Sequence, residues 1–189
     1  YGYVVPYDNG NRFGKVARFD LTNFSTTTVE VLDLPNVAVD TDLKGFWGGF
    51  ASGNYGYVVP YNNGSRFGKV ARFDLVSFSQ VQVLDLTNTS LSGGSGLKGF
   101  RGGFASGDYG YVVPYDNGSR FGKVARFDLT NFSTTTVEML DLAATPVTKV
   151  NGNVPNTAVT DADLKGFQGG FASGNYGYVV PYNNGSRFG

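Results

Sequence analysis

The chain has 189 residues, its 15 lysines and arginines are balanced by 15 aspartates and glutamates, and it contains neither cysteine nor histidine. That excludes disulfides, thiolate chemistry, zinc sites of the usual ligand set and every histidine-based triad, and the neutral balance gives no field to draw it to nucleic acid or an anionic membrane. The 28 glycines, 12 tyrosines and 16 phenylalanines, beside one methionine and one tryptophan, suit short strands and tight turns; no helical periodicity is sustained, and no apolar run approaches the roughly 18 residues of a membrane-spanning helix.

The stretch Tyr1-Gly-Tyr-Val-Val-Pro-Tyr7 returns at Tyr55 to Tyr61, Tyr109 to Tyr115 and Tyr176 to Tyr182, at intervals of 54, 54 and 67 residues. Recurrence at a near-constant period defines an array. It divides the chain into repeats 1–54, 55–108 and 109–175, the last with an insertion near 143–163, and a partial fourth repeat 176–189. The chain opens on tyrosine in mid-repeat and shows no signal peptide, which reads as a processed, excised or partly represented sequence.

Within a repeat, Tyr1, Tyr3, Val5 and Tyr7 alternate with Gly2, Val4 and Pro6, which predicts a strand with one aromatic face. The proline lacks a donor and marks a strand end, an edge or a bulge. Asp8-Asn9-Gly10-Asn11 is a turn. Lys15 to Leu21 is a second strand, with Ala17, Phe19 and Leu21 on one side and Val16, Arg18 and Asp20 on the other, the polar pair Arg18 and Asp20 facing water or a neighbouring sheet edge. After a turn region at Thr22 to Thr28, Val29 to Leu34 is a third strand, and a polar connection of eight residues leads to Leu43. Phe46 to Ser52 is a fourth strand, whose glycines let another backbone approach closely, and Gly53-Asn54 turns the chain into the next copy. The later copies keep these elements, giving 13 predicted strands in all.

A four-stranded unit of this length, in meander order with glycine and aromatic punctuation, resembles a β-propeller blade. The resemblance rests on Gly48-Gly49-Phe50-Ala51, Tyr55 to Tyr61, Lys69 to Leu75 and Val83-Leu84-Asp85-Leu86 and their counterparts, and it covers the whole chain. It implies an all-β fold of tandem four-stranded antiparallel blades, open or incomplete in one chain because propellers close with about four to eight blades. Two or more chains sharing a ring, a window of a longer chain, or an open array would each account for the count.

No catalytic or metal-ligating constellation emerges, and no cofactor is implied. Asp20, Asp74 and Asp128, with Asp33, Asp85 and Asp141, recur in near-identical settings, whereas an acid and a base need settings that separate their pKa values; these read as structural aspartates bonded to turn amides or to Arg18, Arg72 or Arg126. Tyr57, Tyr61, Tyr111 and Tyr115 offer a ligand platform, with packing between blades the simpler reading; Phe50, Phe104 and Phe171 read as core. Sequons at Asn23, Asn63, Asn88, Asn117, Asn131 and Asn184 are glycosylation candidates, and also good turn chemistry. The matching end stretches make Tyr1, Tyr3, Tyr7, Tyr176, Tyr178 and Tyr182 candidate assembly contacts.

The expectation is therefore a non-enzymatic scaffold, extracellular or at the cell surface, that associates with itself as a filament or shared ring. The alternative is a binding module for glycan or protein. An enzyme would need a unique charged cluster, and the one unique long segment, Ala143 to Asp163 with Lys149 and Asp161, reads as a loop.

Overall fold

The computed structural model describes residues 1–144, 146–148 and 158–186, and nearly all regular structure in them is β. Strands β1 (Gly2–Val4), β2 (Lys15–Phe19) and β3 (Glu30–Asp33) form a three-stranded sheet, followed by a short helix α1 (Leu34–Ala38). Strands β4 (Phe46–Ser52), β5 (Tyr55–Pro60), β6 (Lys69–Asp74) and β7 (Ser79–Asp85) form the second sheet, and β8 (Phe100–Ser106), β9 (Tyr109–Pro114), β10 (Lys123–Asp128) and β11 (Glu138–Asp141) the third. A hairpin of β12 (Pro146–Thr148) and β13 (Ala158–Thr160) lies in the inserted segment, and β14 (Phe167–Ser173) with β15 (Tyr176–Pro181) makes a final pair. The fold is all-β, with tandem four-stranded antiparallel sheets, none closed, in an open propeller-like arrangement.

Each full sheet starts on the Phe-x-Gly-Gly-Phe strand and so straddles the boundary between sequence repeats. Gly53-Asn54 joins β4 to β5 as a two-residue hairpin, because Ser52 pairs directly with Tyr55. Pro60 is the last residue of β5, where its missing donor interrupts no ladder.

The apolar clusters lie between sheets. Tyr57, Val59, Val70 and Leu84 on one face of the second sheet pack against Val112, Ala125, Phe127 and Val137 of the third. The opposite face of the second sheet, with Val58, Ala71, Phe73 and Phe78, packs against Val16 and Leu32 of the first. This is why Tyr-Gly-Tyr-Val-Val is apolar at both alternating sets of positions: an interior blade is covered on both sides. Each large side chain so buried contributes about 1.5–3 kcal/mol. At the inner edge the first strands of successive sheets meet backbone to backbone. A Cβ on Gly102 would lie 2.9 Å from the Cα of Gly169, and one on Gly48 would lie 3.3 Å from the Cα of Gly102. No side chain fits there without displacing a strand.

Three expectations need correction. The connection after Leu34 contains α1, started by the Asp33 side chain accepting from the Asn36 amide and by Pro35 in the first turn; five residues are too few to give a periodic signal. The inserted segment, read as a loop, carries the β12–β13 ladder, with Val147 opposite Val159; Lys149 lies outside the described residues. Phe171 is exposed, because no further sheet among the described residues covers it as the third sheet covers Phe50. Of the two surroundings expected for Arg18, water or a neighbouring sheet edge, it takes the second: it is buried, holds Glu30 through a bidentate pair at 3.0 Å, and donates at 3.0 Å to the Leu75 carbonyl of the next sheet, while Asp20 accepts from turn amides.

Candidate functional site

In each inner strand the ladder slips by one residue. Phe46 pairs with Pro60 and Gly49 with Val58, so Trp47 and Gly48 together face Val59, and the same slip recurs at Arg101-Gly102 and Gln168-Gly169. Gly48, Gly102 and Gly169 take φ values of +76°, +79° and +77°, as a bulge of this kind requires. The other bulged residue is the only position at which the three copies of Phe-x-Gly-Gly-Phe-Ala-Ser differ: tryptophan, arginine and glutamine. A bulge re-aims a side chain out of the alternating pattern, and these three converge.

They converge beside a row of tyrosines. Tyr7 and Tyr61, and Tyr61 and Tyr115, have ring centroids 5.9 Å apart, and Tyr115 and Tyr182 are 5.8 Å apart. Trp47 packs edge-on against Tyr7 at 4.7 Å and Tyr61 at 5.6 Å. The Arg101 guanidinium lies 4.0 Å from the Trp47 ring, 3.9 Å from Tyr115 and 4.5 Å from Tyr61. It donates to the Tyr61 hydroxyl at 2.9 Å and the Gln168 Oε1 at 3.4 Å. Its Nε is buried and has no acceptor among the described residues. Arg12, Arg66 and Arg120 also stand over Tyr7, Tyr61 and Tyr115, at 4.5, 4.5 and 4.2 Å. These three have carboxylate partners: Asp8 for Arg12, and Asp116 for both Arg66 and Arg120. Burial alone would raise the Asp116 carboxyl, but the Gly118 amide, Arg66 and Arg120 together hold it below its ordinary value.

The cluster therefore holds a cation among aromatic faces, with its Nε–H donor lacking an acceptor among the described residues. No group of three or more carboxylates that could hold a metal occurs among the described residues. A scan of known protein families finds no match, and a search of curated proteins finds none either.

Of the expected platform, Tyr57, Tyr61 and Tyr115 are buried and Tyr111 is partly so. Tyr57 stacks on Phe50 at 4.9 Å and Tyr111 on Phe104 at 5.0 Å, so this pair packs sheets, whereas Tyr61 and Tyr115 line the Arg101 cluster. Burial raises the Tyr57 hydroxyl above its ordinary pKa. Among the end residues, the Tyr3 hydroxyl donates to the Leu75 carbonyl at 3.1 Å, the Tyr1 ring stands 4.6 Å from the Arg18 guanidinium, and Tyr7 belongs to the cluster; Tyr176, Tyr178 and Tyr182 are exposed. The repeated aspartates serve turns. The Thr22 hydroxyl, with the Thr22 and Asn23 amides, lowers Asp20; Ser77 and the Val76 amide lower Asp74; Thr130 and the Asn131 amide lower Asp128.

Asn23, Asn88 and Asn131 are exposed. The Asn63 Nδ2 donates to the Asp42 carbonyl and the Asn117 Nδ2 to the Gly96 carbonyl, each at 3.1 Å, and Asn184 is buried. A glycan on Asn63 or Asn117 would occupy the atom that ties one turn to the preceding loop. The bulge residues Trp47, Arg101 and Gln168 escape a reading of the sequence as site residues, although it holds their signal: one variable position within an otherwise invariant strand.

Proposed function

We propose that the protein is a non-enzymatic scaffold of propeller-type blades that binds further copies of itself face to face, as a filament or a shared ring. The observation that carries this reading is that the outer faces bear the same residues that are buried between interior sheets. Val59 is 0% exposed and its counterpart Val180 44%; Leu84 is 2% exposed and its counterpart Leu140 51%. On the opposite side, Phe78 is 8% exposed and its counterpart Phe24 85%. Beside Leu140 a groove of about 310 Å³, lined by Tyr111, Val124, Arg126, Glu138 and Met139, lies where an interior sheet would receive its neighbour. The two outer faces are thus complementary to each other and unlike in themselves, which makes the contact heterologous: it closes into a ring or extends as a filament. Continuity with the internal interface makes a second copy the fitting occupant.

The test uses two variants, Val180→Glu on one face and Phe24→Glu on the other, in analytical ultracentrifugation across a concentration series. The parent chain is expected to form higher oligomers, each variant alone to lose them, and an equimolar mixture to give a dimer, since one intact face of each kind remains. A parent chain that stays monomeric at all concentrations would sink the proposal.

A further inference from the structure

We infer that the bulge cluster of Trp47, Arg101 and Gln168 is a binding site for a carboxylate-bearing saccharide, independent of self-association. Three features of the cluster specify that chemistry. The first is an uncompensated cation. The two bonds from Arg101, to Tyr61 and Gln168, both go to neutral oxygens, and the guanidinium has five N–H donors in a planar fork. A carboxylate has the two-oxygen geometry that such a fork accepts, with charge-assisted bonds about twice as strong as neutral ones. The other arginines stacked on this tyrosine row among the described residues, Arg12, Arg66 and Arg120, have carboxylates from the chain, whereas both bonds of Arg101 end on neutral oxygens.

The second feature is the surround. Arg101, Trp47, Tyr7 and Gln168 are half-buried and Tyr182 is exposed, so flat rings and polar tips of the cluster reach the surface beside the arginine. Flat faces receive the C–H side of a sugar ring, and the tyrosine hydroxyls and the Gln168 amide suit its hydroxyls. The third is variation. Every other residue of the inner strand is held constant across the copies, and the bulged position alone differs, where it is turned out of the ladder. Packing would be served by repeating one residue three times; three different residues meeting in one place make an asymmetric surface, as recognition of one ligand orientation requires.

The chain carries its own reporter, because Trp47 is its single tryptophan and its ring lies 4.0 Å from the Arg101 guanidinium. The experiment is a titration of the intact protein with tetragalacturonate, followed by tryptophan fluorescence, with the neutral tetragalactose and with acetate as parallel arms. The expected result is a saturable change with tetragalacturonate, and with tetragalactose and acetate at least about tenfold weaker binding, since each lacks either the charge-assisted bond or the sugar rings. Arg101→Gln is the test variant. Gln168 already occupies the equivalent bulge, so this variant is expected to fold, which an unchanged circular-dichroism spectrum checks. It is expected to lose tetragalacturonate binding by about tenfold or more. No response to tetragalacturonate, equal binding of tetragalactose, equal binding of acetate, or unaltered binding by Arg101→Gln would each overturn the inference.

Discussion

Arg72 and Arg126 occupy the same position in successive blades, and they separate the energetics of a blade from those of a blade interface. Arg72 is buried: it donates at 2.7 Å to Gln82 on its own sheet and at 2.7 Å to the Leu129 carbonyl on the next, and it stands over Tyr55 and Phe132 at 4.4 and 4.5 Å. Truncation to alanine removes a charged hydrogen bond of about 1.5–3 kcal/mol and leaves the Leu129 carbonyl short of a donor at about 1–3 kcal/mol, and it also strips the cation from the Tyr55 and Phe132 rings. The expected cost is about 3–5 kcal/mol. Arg126 keeps its Glu138 partner at 2.8 Å and the Tyr109 ring at 4.5 Å, but its outer face is open. An exposed pair and an exposed cation–π contact sum to about 0.5–1.5 kcal/mol. Urea unfolding of the two alanine variants, at concentrations where the protein is monomeric and with unchanged slopes, reads both values. Equal losses at Arg72 and Arg126 would refute the reasoning, because they would place the value of the arginine within its own sheet.

Three further outcomes are expected. Gly102→Ala and Gly169→Ala share the same positive φ, but only the first meets a neighbouring backbone, so Gly102→Ala should lower stability by about 1–3 kcal/mol more in thermal unfolding, and equal effects would deny the close approach of inner strands. Turn hydroxyls and amides hold Asp20, Asp74 and Asp128 below their ordinary 3.8, so their contribution is present above that value and lost as pH falls below it; the urea midpoint should drop on acidification through this range, less steeply when the three are replaced by asparagine. In a glycosylating host, peptide mass spectrometry should find glycans at Asn23, Asn88 and Asn131 in preference to Asn63, Asn117 and Asn184, whose amides are tied or buried.

The strands, their order and their antiparallel meander were legible because period-2 alternation, Asn-Gly turns and the repeat all point the same way. Phase was less legible: nothing in Tyr-Gly-Tyr-Val-Val-Pro-Tyr says that its sheet begins one strand earlier, since hairpins join both sides of it. The role of Arg18 was hidden because Val16 and Arg18 share a face, and one face cannot be assigned to water or to a neighbouring sheet from a single strand. Tyr61 and Tyr115 stand out as aromatic; their meeting with Arg101 depends on a bulge, and a bulge looks in sequence like two adjacent glycines. The helix after Asp33 carried its signal in one capping residue and one proline, and is shorter than any window that detects period.

The offset between sheet and sequence repeat governs how such a protein tolerates cutting and duplication. Residues 55–108 are one sequence period but supply three strands to one sheet and one to the next, so that excised segment leaves one sheet short and one strand unpaired. Residues 46–99 hold a complete sheet with its outgoing loop. Gene duplication in whole periods, whatever the point of exchange, still lengthens the array by one sheet, because the stranded ends of each added period match those of its neighbours.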